Sequence, residues 1–73
     1  MTMFDMIKGD VDRINSLLKN VKLRAVEFND GSIGIIAYDG RQEIYLDVGL
    51  TPMEARYLLT DLLYILKAEA GEL

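Results

Sequence analysis

At 73 residues, 51% of them hydrophobic, the chain is one domain near the lower size limit for a single apolar core. It contains no cysteine and no histidine, which removes disulfides, thiolate zinc sites, the usual general base and the usual metal ligand. Its net charge of −4 counts against sequence-independent nucleic-acid binding, where Lys and Arg must neutralise phosphates.

The opening segment has the spacing of an amphipathic helix, with Phe4, Ile7, Val11, Ile14, Leu18 and Val21 recurring in alternating threes and fours. The pattern either runs on as one helix or is split at Gly9-Asp10 into a short turn and a helix from Asp10 to Leu18, because Gly costs about 1 kcal/mol against Ala inside a helix. The start carries Asp5 and no continuous apolar block, so it lacks the pattern of a secretory leader. No stretch approaches the roughly 20 apolar residues that span a bilayer. A soluble cytoplasmic protein with no membrane contact is the expectation.

Three strands follow, "VKLRAVEF", "SIGIIAY" and "RQEIYLDV", separated by two Asp-Gly pairs. Each pair fits a two-residue hairpin loop, since Gly accepts positive φ and Asp tolerates it. An Asp30-Gly31 loop places Phe28 opposite Ile33, Val26 opposite Ile35 and Arg24 opposite Ala37. An Asp39-Gly40 loop places Ile35 opposite Ile44 and Ile33 opposite Leu46; a three-residue loop with a bulge at Tyr38-Asp39-Gly40 is the alternative. Both turns then select one face: Val26, Phe28, Ile33, Ile35, Ala37, Ile44, Leu46 and Val48. Leu23, Ala25, Ile36, Tyr38 and Tyr45 fall on the other, among Glu27, Arg41, Glu43 and Asp47. As calcium ligands the two turn aspartates are too far apart, with a strand between them, so they are expected to be turn residues.

The segment "LTPMEARYLLTDLLYILKAEAGEL" has a full set of helix-start signals: Thr51 as N-cap, Pro52 at the first position, and Glu54 closing a capping box. Ala55, Leu58, Leu59, Leu62, Leu63, Ile65 and Leu66 form a broad apolar arc, and Gly71 is a natural stop. The expected fold is therefore α+β across residues 1–73: helix, three-stranded antiparallel meander, helix (αβββα), with both helices on one face of the sheet.

Two helices about 10–12 Å across exceed the roughly 10 Å between the outer axes of three strands, so the helix layer must overhang. Apolar surface is left over, and a homodimer is the first explanation. The overhanging edge, with Phe4, Ile7, Leu63 and Leu66, is the candidate dimer contact. The free sheet face, with Leu23, Ile36, Tyr38, Glu43 and Tyr45, is the candidate surface for a protein partner. Glu43 and Asp47, with Glu27 across the sheet, form the one carboxylate group with acid–base or magnesium potential. A solvated strand face is the preferred reading, because no pocket loop, nucleophile motif or glycine-rich phosphate loop accompanies them. No catalytic, metal or cofactor residue is assigned.

Three resemblances add to this. The three-stranded sheet with a C-terminal helix resembles the arm-binding domains of phage integrases. That likeness implies phosphate contacts from Lys22, Arg24 and Arg41 and further contacts from Tyr38 and Tyr45. "LTPMEARYLLTDLLYILK" resembles a strand-to-helix module of small bacterial and phage proteins of unknown function. The whole order in a short acidic chain is similar to some phage anti-CRISPR inhibitors, which occupy a positively charged nucleic-acid channel. Small size, acidity and surplus apolar surface motivate the expectation of a phage or mobile-element accessory protein that binds or inhibits a host protein, without enzymatic activity. A small nucleic-acid-binding regulator is the alternative.

Overall fold

A computed structural model describes residues 1–73 and shows the order α1 (Met3–Asn15), β1 (Lys22–Glu27), β2 (Ile33–Tyr38), β3 (Glu43–Leu50) and α2 (Pro52–Glu69). α1 is unbroken through Gly9, so of the two alternatives the single helix holds. Thr2 and Asp5 close a capping box, with Asp5 N–H donating to Thr2 Oγ1 at 3.1 Å and Thr2 N–H to Asp5 Oδ2 at 2.9 Å. Arg13 and Arg56 both hold Asp10, so the helix is tied down at the residue that follows its glycine. It ends at Asn15 rather than Leu18, and Lys22 Nζ donates to the carbonyls of Asn15 at 2.9 Å and Leu18 at 2.8 Å.

Asn15 also closes the outer edge of β1. Leu23 N–H donates to Asn15 Oδ1 at 2.8 Å, and Asn15 Nδ2 donates back to the Leu23 carbonyl at 2.9 Å. The side-chain amide thus takes the place of a neighbouring strand. Asn15→Ala removes both bonds, and a loss of about 1–2 kcal/mol in urea unfolding is expected. A neutral effect would show that water replaces the amide without cost.

The sheet order is β1-β2-β3, all antiparallel. The first hairpin differs from expectation by one residue: Glu27 pairs with Ile33, Ala25 with Ile35 and Leu23 with Ala37. Its loop is Asn29-Asp30-Gly31, with Phe28 N–H donating to the Ser32 carbonyl and Gly31 N–H to the Phe28 carbonyl, both at 2.9 Å. The reason lies in backbone strain. A two-residue type I′ loop requires positive φ at both Asp30 and Gly31, whereas this loop requires it only at Gly31, where φ is +86°. No residue other than glycine has positive φ anywhere in the chain.

The one-residue slip turns β1 over. Leu23 and Ala25 face the helices, and Val26 and Phe28 face away. The second hairpin uses the four-residue loop Asp39–Gln42, pairing Tyr38 with Glu43 and Ala37 with Ile44. That is a shift of two residues from expectation, so Ile44 keeps its predicted side. β3 then changes register twice: Ile36 pairs with Tyr45 but Ile35 with Asp47, and Ile33 with Leu50. The extra residues are Leu46 and Gly49, bulges that twist the strand, and Gly49 takes a φ of +71°.

α2 begins as its sequence requires, with Thr51 Oγ1 accepting from Glu54 N–H at 3.1 Å and Glu54 Oε1 from Thr51 N–H at 2.8 Å. Both helices lie on one face of the sheet, α1 against β1 and α2 against β2 and β3. The core between them is Ile7, Val11, Ile14, Leu23, Ile33, Ile35, Ala55 and Leu59.

Candidate interaction surface

Because α1 sits over β1 and α2 beside it, the helix layer is displaced away from β3. The overhang is at the β1 edge, and the sheet is bare at the other. Ile44, Tyr45, Leu46 and Val48 are each more than half exposed, an apolar run on both sides of one strand. On α2, Leu58 is 40% and Ile65 56% exposed, although both belong to the apolar arc. The bulge turns Leu46 and Asp47 together toward α2, where they line a cleft of about 260 Å³ with Ile35, Leu58, Leu62 and Ile65. Asp47 and Asp61 stand at its rim.

The two sheet edges are unlike. β1 has its backbone partly bonded by Asn15 and carries Lys22, Arg24 and Glu27. β3 is eight residues long, has neither Lys nor Pro, and pairs on one side only. Two bulges interrupt it and Val48 N–H donates to Asp47 Oδ1 at 2.9 Å, but its remaining outward N–H and C=O groups are of the kind that recruit another strand. The signal for this surface was present in "IYLDVGL", whose apolar residues occupy both phases of a strand instead of one.

The sheet face away from the helices is more self-contained. The rings of Phe28 and Tyr45 lie 6.3 Å apart between centroids, inclined at 35°. Gly34 lies beneath them: a Cβ there would stand 3.0 Å from the Phe28 ring and 3.2 Å from both the Tyr45 ring and a Val26 methyl. Arg24 reaches across β2 to Glu43 at 2.8 Å. Ile36, paired with Arg24 and Tyr45, is only 4% exposed.

Of the predicted partner face, Ile36, Tyr38, Glu43 and Tyr45 do share one side of the sheet, by register. Leu23 does not: the β1 slip puts it in the core at 5% exposure. Of the predicted dimer contact, Ile7 is fully buried, while Phe4, Leu63 and Leu66 are half-buried and pack against the core. The β3 bulge also separates Asp47 from Glu43, so the carboxylates expected on one face do not gather.

The charged groups are largely engaged within the fold. Asp30 Oδ1 accepts from Ser32 N–H at 2.9 Å, and the bonds from Ser32 hold its carboxyl below the usual range. Asp39 Oδ1 accepts from Arg41 N–H at 2.9 Å and Gln42 N–H at 3.1 Å, which lowers its pKa likewise. These oxygens serve the turns. Of the cations that the integrase resemblance would set on phosphates, Lys22 caps α1 and Arg24 holds Glu43. No protein-family model, characterised protein or solved structure matches this chain.

Proposed function

We propose that this chain is a small non-enzymatic protein-interaction domain whose working surface is the β3 edge with the adjoining side of α2. One observation carries the reading: the exposed apolar residues of β3 and α2 are contiguous, at a sheet edge that pairs on one side only, in a domain with little core to spare. Binding there needs no chemical step, and the side chains around the cleft are apolar apart from two aspartates. A phage or mobile-element accessory role is compatible with such a domain. Nucleic-acid binding is disfavoured, because two of the three cations it would use are already bonded within the fold.

The test is affinity capture with the wild type and with Leu46→Asp, using extract of the native host and a second copy carrying another tag. Leu46 is over half exposed, so the variant keeps its fold, which far-UV circular dichroism checks. Loss of a bound protein, or of the second copy, supports the reading. Identical capture by both forms overturns it.

A further inference from the structure

Resting on that reading, we infer that the occupant of the β3 side is a second copy of this chain, related by a two-fold axis that pairs β3 with β3 of its partner. The three-stranded sheet then becomes one of six strands. Of the two edges this one carries the exposed apolar residues Ile44, Tyr45, Leu46 and Val48, whereas Asn15 occupies the backbone groups of Leu23 on the other. Antiparallel pairing about a two-fold is the symmetric solution, since it joins identical edges and leaves none over.

Helix spacing gives an independent check. α2 rests against both β2 and β3, so its axis lies near the boundary between them. With strands about 4.8 Å apart, joining two β3 edges sets the two α2 axes roughly 10 Å apart. Packed helices sit about 8–10 Å apart, so the same operation that pairs the strands also brings the helices into contact. Leu58, Leu62 and Ile65 are the side chains that meet there, over Ile44 and Leu46 of both copies. Each cleft is thereby closed, and the small core is extended in the way that short domains require.

The rim charges distinguish this occupant from another. Asp47 and Asp61 are duplicated across the axis, so like charges approach and added salt strengthens the association. A basic peptide in the same cleft would show the reverse, with salt weakening it.

Sedimentation and single-cysteine crosslinking test the proposal cleanly, because the chain has no native cysteine. The wild type is expected at twice the chain mass at micromolar concentration, more strongly associated at high salt. Leu46→Asp places an unpaired charge at the contact and weakens association about a hundredfold with the fold retained. Mild oxidation crosslinks Ile44→Cys or Leu46→Cys but not Lys19→Cys. A wild type that stays monomeric, or a dimer that salt weakens, overturns the second copy as occupant while the capture experiment still decides the surface. A dimer that Leu46→Asp leaves intact and that crosslinks through Lys19→Cys overturns both.

Discussion

Ile35→Ala lowers the free energy of unfolding by about 2–5 kcal/mol, the cost of removing most of a fully buried aliphatic side chain and leaving a cavity. Ile35 is 1% exposed and belongs to the core cluster with Leu59, on the central strand between Ala25 of β1 and Asp47 of β3. Its strand neighbour Ala25 is small, and both flanking strands are fixed by hydrogen bonds, so little can move in to fill the space. A domain of this size has a total stability near the low end of the usual range, about 5 kcal/mol, so this one truncation removes a large share of it. Tyr57→Ala is the control, since Tyr57 is 65% exposed on the far side of α2 and its removal costs within about 0.5 kcal/mol. Urea midpoints at one fixed chain concentration compare the two, with the slope held constant. Equal midpoints for the two variants would mean that the core is centred elsewhere.

The part of this fold that local chemistry specifies is legible from the residues. Thr51, Pro52 and Glu54 announce α2, and the Asp-Gly pairs announce the hairpins, because each signal lies within a few residues of what it determines. Register is different. It depends on which loop residues must take positive φ, and the slip at Asn29-Asp30-Gly31 follows from sparing Asp30 that conformation. The slip then reassigns Leu23, Val26 and Phe28 together, which no apolar pattern in β1 alone reveals, since both its faces carry aliphatic residues. The surplus apolar surface was also legible, but its position was not. Overhang depends on which strand α1 covers, and α1 is fixed to β1 by Asn15 and Lys22, contacts that join residues seven or eight apart across a turn. The ion pair between the helices had a readable trace. Asp10 follows Ile7 by three positions and precedes Ile14 by four, so it stands on the apolar seam, where a lone carboxylate requires a partner.

That partner is Arg56, and replacing it with Met destabilises the fold through what it leaves behind. Asp10 is 4% exposed, with Arg56 Nε on Oδ2 at 3.0 Å, Arg56 Nη2 on Oδ1 at 3.3 Å and Arg13 Nη2 on Oδ1 at 2.6 Å. Arg56→Met preserves the side-chain volume near Met6 but leaves Oδ2 of Asp10 buried without a donor, at a cost of about 2–3 kcal/mol. Asp10→Asn is milder, because the arginines that it frees are partly exposed and recover water. Removing both charges, Asp10→Leu with Arg56→Met, restores most of the loss, since a buried pair replaced by apolar groups is often neutral. Acid supplies the second readout. Burial pushes the Asp10 carboxyl upward, but the hydrogen bonds from Arg56 and Arg13 outweigh it and leave the pKa below its ordinary 3.8. A folded-state pKa below the unfolded one means stability that is fully present above pH 3.8 and lost as pH falls through the lowered value. The wild type therefore exceeds Asp10→Asn in stability at neutral pH, and the gap closes below that point. Other carboxylates, Asp5 and Glu54 in the capping boxes among them, lose stability in acid as well, but equally in both proteins. A gap that persists unchanged to pH 2, or a double variant no more stable than Arg56→Met, would show that α1 and α2 are held together by their apolar seam alone.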